Sequence, residues 1–418
     1  MDTAAALLEK PSGLGPFRYR DFSLYQFARM LLIMGGQIVI IALQWQVYAL
    51  TQSKLQLGMI GLAQFLPNFL ASLPAGHFAD RVSRRGIVMF CALANTATIS
   101  MLAWQALQSA PSLVLIYVAC SLFGLIRAFS APAGNAFLPA LVPGSILQRA
   151  IMWHLIVFQL GTVIGPALGG RIYGSGHAAL AYEVAAGLFA GAFVALACLK
   201  SRPQVRPDQE PFERAVSAGL RYVWDDKRLL GALSLDLFAV LLGGATALMP
   251  AVVKDILNAG PEVLGDLKTT VAVGAGTMAF LLAFRPLKRR IGLWLFWGVA
   301  VFGLATIGFG LSRSLPLSMG LLFIMGASDM LSVTVRHTLI QVGTPDGMRG
   351  RVSAVSMVFI NTSNELGEFE SGTTAAWWGT QWAIIVGGLG TIAIVLAWSV
   401  LFPSLRRADR FDEKAPAA

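Results

Sequence analysis

Charge is scarce in this chain: Asp, Glu, Lys and Arg make up 13% of its 418 residues, against about 25% in soluble domains. With 56% of the residues hydrophobic, a water-soluble fold would lack the polar surface to cover itself. A soluble enzyme or binding module is therefore excluded. Cysteine is scarcer still. Cys91, Cys120 and Cys198 sit singly in apolar runs, without C-x-x-C spacing, and are expected as small packing residues rather than a disulfide or metal site. The four histidines, His77, His154, His177 and His337, lack metal-ligand spacing. His154 lies in an apolar run, where a lone histidine is expected to be hydrogen-bonded and passive. No G-x-x-x-x-G-K-[ST] occurs, so ATP is not the internal drive. No Ser/His/Asp-like constellation stands at membrane level, and neither an enzyme activity nor a cofactor is expected. The opening "MDTAAALLEKPSGLGPFRYRDF" has no apolar core, and no cleavable signal peptide is expected.

What the chain has instead is hydrophobic length. Runs long enough to cross a bilayer core of ~30 Å recur throughout. They predict twelve transmembrane helices, roughly 22–49, 56–79, 86–107, 112–138, 147–173, 178–200, 229–253, 264–284, 291–312, 316–339, 352–377 and 381–402. The fold class is an all-α membrane protein in two pseudo-symmetric six-helix bundles. The basic residues behind the net charge of +10 cluster in alternate loops, which argues for membrane topology and against nucleic acid as a partner. With both termini cytoplasmic, the outer loops hold only Lys54, Lys254, Lys268 and Arg313. That asymmetry predicts a multi-pass protein of the cytoplasmic (inner) membrane.

The longest polar stretch, "KSRPQVRPDQEPFERAVSAGLRYVWDDKRLL", falls at the midpoint. Its start reads as a linker, and Phe212, Val216, Leu220 and Trp224 form one stripe of a surface helix. The expected division is an N-terminal bundle (1–200), a cytoplasmic linker with the surface helix (201–228) and a C-terminal bundle (229–418). "GHFADRVSRRG" after span two and "FRPLKRRIG" after span eight echo each other, as repeated halves should.

Gly76, Asp80, Arg81, Arg84 and Arg85 in that first loop stand at the positions of motif A of the major facilitator superfamily, which this chain resembles. An ordinary basic loop would explain the arginines but not Asp80. By the resemblance, Asp80 meets the positive N-terminal end of span eleven, where Arg349 and Arg351 add direct pairs, making a latch for the cytoplasmic side. The second-half loop lacks the acidic residue, so the latch is expected to be single. "GTVIGPALGG" in span five is similar to motif C of the exporter branch. Gly161, Gly165 and Gly169 share one helix face and permit close helix approach, Pro166 permits a bend, and Gly170 also matches. Arg127 in span four resembles motif B of proton-coupled exporters, although the glycine expected after it is displaced. Ala131–Pro143, "RGRVSAV" and the surface helix are similar to the enterobactin-exporter-type branch, which contains siderophore and macrolide exporters. The resemblance implies alternating access in a monomer and is silent on the substrate.

Span eleven raises the sharpest question, because "NELGEFESG" places Glu365, Glu368 and Glu370 in an apolar run. An ionisable group at bilayer depth costs ~2.5–3.5 kcal/mol and ordinarily faces a cavity or a partner. Glu365 and Glu368 are three apart and share a face. Two carboxylates so placed cannot both ionise cheaply, which suits a proton site. The bland alternative, a carboxylate bonded to a neighbouring helix, stands beside that reading, and Glu370 is expected to be structural. Arg127 and Asp329 both fall near mid-depth and are expected to face each other across the halves. Asp236 is a further coupling or gating candidate, and Arg29 is expected to reach the interface by snorkelling. Gln37, Gln44 and Trp45 on span one, Gln64 and Asn68 on span two, and Asn361 and Asn364 on span eleven are candidates for lining a polar-aromatic cavity. Amides in buried helices also serve simply to join helices.

These observations predict a secondary transporter exporting an amphipathic small molecule, a siderophore or drug, by proton antiport. The partners would be substrate, protons and lipid. A lysophospholipid flippase or importer is the rival within transport. A membrane receptor or enzyme is the rival outside it.

Overall fold

In lipid every backbone polar group must be satisfied internally, and a chain this apolar answers by becoming helical nearly throughout. The computed structural model describes residues 15–81, 83–200 and 212–411, with the side chains of 73–81, 84, 132, 135–136, 140, 212–216 and 346 outside that description. Motif positions Gly76, Asp80, Arg81 and Arg84, the linker 201–211 and the side chains of Phe212 and Val216 fall outside it. No strand occurs among the described residues.

The first half comprises α1 (Arg20–Thr51), α2 (Lys54–Arg81), α3 (Arg84–Ala106), α4 (Leu113–Phe137), α5 (Leu147–Ser175) and α6 (Ala178–Ala197). A connector helix α7 (Phe212–Asp225) leads to α8 (Lys227–Leu242) and the single turn α9 (Met249–Ala251). Next come α10 (Pro261–Phe284), α11 (Ile291–Leu311), α12 (Leu315–Gly343), α13 (Asp346–Trp378), α14 (Thr380–Leu401) and the short α15 (Pro403–Arg406). Ten stretches among the described residues are long and apolar enough to cross a membrane. The helix α13 is not one of them, because two asparagines and three glutamates interrupt its apolar run.

Within the first half α1 packs on α5 and α6, α3 on α4 and α6, and α2 on α4. Within the second, α12 packs on α10 and α11, α14 on α11, and α13 on α8. Two long seams join the halves: α2 runs against α13, and α5 against α10. Large apolar side chains such as Phe90, Leu155, Trp297 and Val400 stay exposed on the outside, as lipid-facing residues should.

Contacts between the two halves close the end remote from α7. There Tyr48 donates to Asp255, Arg171 pairs with Asp266 at 2.9 Å, and Ile41 and Trp45 of α1 share an apolar cluster with Ala245 and Leu248 of the second half. At the α7 end, Asp226 caps α8 by accepting from the Arg228 amide at 2.9 Å. The connector helix buries Val223 and leaves Leu220 and Trp224 exposed, so its apolar stripe faces away from the protein, where a bilayer surface would meet it.

Two sequence expectations change. Span seven is not continuous, since α8 ends at Leu242 and the chain passes Gly243 and Gly244 before a 3-10 turn at Ala245–Leu248. Glycine has little helix propensity, and two in succession let the helix break. Lys268 is not a loop residue but sits in the second turn of α10. The loop after α10, which has no acidic residue of its own, is met by the tail of the same half. Asp409, beyond α15, accepts from the Arg289 side chain at 3.1 Å and the Arg290 amide at 3.0 Å. Those bonds hold its carboxyl below the usual carboxylate range.

Candidate functional site

The helix α13 is held between two close backbone approaches, and these place its glutamates. On one side it meets α2, where a Cβ at Gly61 would lie 2.6 Å from the Glu365 carbonyl and 2.7 Å from the Glu368 Cβ. On the other it meets the end of α8, where a Cβ at Gly367 would lie 3.0 Å from the Val240 carbonyl. Only hydrogen in place of a side chain allows both contacts. Glu365 and Glu368 therefore point into the interface between the halves rather than towards lipid.

Glu365 is buried and forms an ion pair with Arg127 of α4. Arg127 also reaches the Asn361 side-chain oxygen at 3.5 Å, and the buried Asn68 amide of α2 stands beside the same carboxylate. The expected facing of Arg127 and Asp329 is thus corrected: Glu365 on the adjoining α13 lies nearer and takes the guanidinium. Glu368, one turn on, lies within Coulombic reach of the Lys268 ammonium on α10. Arg127, Glu365, Glu368 and Lys268 form a chain of charges across the membrane interior, with a cation at each end and the two carboxylates between them. Opposite charges offset part of one another's desolvation cost in a low dielectric.

Beside this chain lies a cavity of about 210 Å³. Asp329, Asn364, Glu368 and Thr246 supply its polar lining, and Val240, Val271, Phe302 and Met325 its apolar walls. The break at Gly243–Gly244 forms part of the wall, so the interruption in span seven is what makes room.

Other candidates fall elsewhere. Asp236 forms a buried ion pair with Arg336 inside the second half and does not face the first, because α12 supplies the nearest cation. Glu370 points away from the charge chain and accepts from Ser371 at 3.4 Å. Arg29 does not snorkel but bonds His154 on α5, whose other ring nitrogen meets Gln26 at 3.3 Å.

The three motif C glycines on one face do approach another helix. A Cβ at Gly161 or Gly165 would lie 2.6 Å from Ile33 or Gln37 of α1, and one at Gly169 would lie 3.0 Å from Ile38. Gly170 turns instead to Pro261 of α10, and Pro166 stays within a continuous α5. Gln37 is half-buried in that seam, whereas Gln44 and Trp45 are buried towards the closed end. Their depth on α1 puts them in its core. Gln64 is half-buried on α2, where its carbonyl meets Gly124 of α4. At the α7 end Arg85 donates to the Ala197 carbonyl at 2.7 Å. Arg349 donates to Thr344 at 3.2 Å, and Arg351 approaches the Met348 sulfur at 3.4 Å.

Sequence reasoning misses Lys268 and Arg336 as interior charges because one falls with an expected loop and the other lies near the end of a span. Counting turns from Val271, a cavity residue three positions later, puts Lys268 on the same face of α10.

Comparison with known proteins is consistent over nearly the full length. A family profile described as "Transmembrane secretion effector", of the major facilitator type, matches residues 11–417. The chain is 26% identical to the enterobactin exporter EntS of Citrobacter koseri over 383 residues, 91% of each chain. It is 25% identical over the same span to that of Escherichia coli O157:H7. Among solved structures, the inward-facing, unoccupied bacterial homolog of the human lysosomal transporter Spinster superposes with a TM-score of 0.72 at 15% identity, covering 96% of this chain and 99% of that one. A peptide transporter, POT, superposes at 0.74 and 12% identity, covering 92% and 95%. Fold and family are those of transporters, not enzymes.

Proposed function

Because the chain belongs to the transmembrane secretion effector family of the major facilitator superfamily, a family of multi-pass secondary transporters, we propose that it exports an amphipathic small molecule, a siderophore or drug, in exchange for protons. The Arg127–Glu365 ion pair carries this reading: it joins a helix of each half at membrane depth. A proton arriving at Glu365 neutralises the carboxylate and releases Arg127, which loosens the two halves. Loss of that proton restores the pair and draws them together. That is alternating access driven by one titration. Glu368 and Lys268 extend the path towards the closed end.

The α7 end faces the cytoplasm in this reading, and Arg85, Arg285, Lys288, Arg289, Arg290, Arg406 and Arg407 at that end support it. The unit is a monomer of two bundles divided near residues 201–228, in the inner membrane. Export is favoured by the names of the relatives and by the motif C resemblance. Asp80 with Arg349 and Arg351 is the proposed cytoplasmic latch.

The test is efflux from reconstituted vesicles under an imposed pH gradient, with a panel of siderophores and cationic dyes. A panel member moving against the proton gradient supports antiport. Movement of a labelled lysolipid, with every panel member static, would replace export by flipping.

A further inference from the structure

The charges around the cavity do not balance. Arg127 answers Glu365 in a direct ion pair, and the Lys268 ammonium acts on Glu368 through space. Among the described residues nothing pairs with the Asp329 side chain, which lines the cavity from α12. Asp329 is the carboxylate left over, in a space that it shares with Glu368, Asn364 and Thr246 and whose apolar walls include Phe302, Met325 and Val271. An uncompensated carboxylate removed from water is costly until a cation or a proton meets it. A positively charged ligand gains that missing partner on entry, and an anion of the same shape meets like charge.

We propose that this cavity binds an amphipathic cation, with the ligand's ammonium against Asp329 and its apolar body on Phe302 and Met325. Asn364 and Thr246 are placed to accept from the ammonium's remaining N–H groups. The aromatic face of Phe302 favours a cationic or arylalkyl neighbour, and the Met325 thioether adapts to an aromatic ring. The volume, about 210 Å³, is below the ~300–1,000 Å³ typical of drug-sized sites. The cavity therefore takes an arylalkyl ammonium group rather than a whole macrocycle. Binding at this site does not depend on the transporter reading; only the later movement of the ligand across the membrane does.

The experiment is calorimetric binding to the purified full-length protein in detergent, with two probes alike in body and opposite in charge: 2-phenylethylammonium and 3-phenylpropionate. The expected result is saturable binding of the ammonium, with the carboxylate at least about tenfold weaker. Asp329→Asn should weaken the ammonium by a similar factor, and Phe302→Ala should cause a separate, smaller loss. Equal binding of both probes, tighter binding of the carboxylate, or binding of neither overturns the site. So does unchanged ammonium affinity in a monodisperse Asp329→Asn protein. The wild-type comparison of the two probes decides the sign of charge even if that variant does not fold. If the ammonium binds as expected but no gradient moves it across vesicles, the transport reading fails while the site stands.

Discussion

The Arg127 guanidinium of α4 and the Glu365 carboxylate of α13 meet in an ion pair that joins the two halves, with the carboxylate buried and the arginine 44% exposed. Truncating either partner leaves the other charge unanswered in a poorly solvated site. Arg127→Gln and Glu365→Gln should each lower stability by about 1–3 kcal/mol. The double variant should cost less than the two losses summed. Thermal unfolding of the four proteins in detergent checks this, and additive losses would mean the pair is not coupled.

Asp236 and Arg336 form the contrasting pair, buried within one half. Removing only one charge should destabilise by about 3–5 kcal/mol. Replacing both by Leu and Met should recover most of that loss, with transport retained in the double variant. Loss of gradient-driven transport in a stable double variant would give this pair a role in coupling.

The seam between α2 and α13 is set by backbone contact, with a Cβ at Gly58 lying 3.0 Å from Gly372 Cα. A bulky residue has no space there. Gly372→Leu should prise open the closed end, raising the labelling of a cysteine placed at Tyr48 by about several-fold. Unaltered labelling would show that the end is closed by other contacts, such as Arg171–Asp266.

Asp409 clamps the tail to the α10–α11 loop. Its carboxyl is held below the ordinary value by the hydrogen bond from Arg289, then by that from the Arg290 amide. The clamp is therefore fully present above about pH 3.9, the unperturbed aspartate value. It is lost as pH falls through the lowered one. Asp409→Ala should make the bonds after Arg406 and Arg407 cut faster by trypsin at neutral pH. An unchanged cleavage rate would show that burial of Leu405 and Ala408 alone holds the tail.

The sequence made the architecture legible because lipid leaves so few options: apolar runs must be helices, and their lengths give the spans. It also showed that Glu365 and Glu368 share a face, which the interface between the halves explains. Partner choice was not legible. Arg127 is equally deep relative to Asp329 and Glu365, and only the glycine contacts that press α13 against α2 decide between them. The cavity was hidden for a similar reason. It exists because Gly243 and Gly244 break α8, and a glycine pair within an apolar run does not announce whether the helix continues. Asp409 was beyond reach too, since a short tail folding back onto a loop carries no periodic signal.

Whether Glu365 carries the coupling proton is decided by comparing two fluxes in vesicles reconstituted with wild type and with Glu365→Gln. One is substrate movement driven by a pH gradient. The other is substrate exchange with no gradient. The variant should lose the driven flux by about tenfold or more while keeping exchange, because an amide cannot shed a proton but still permits the halves to rock. Driven flux at the wild-type rate in Glu365→Gln would contradict that role and move the proton elsewhere.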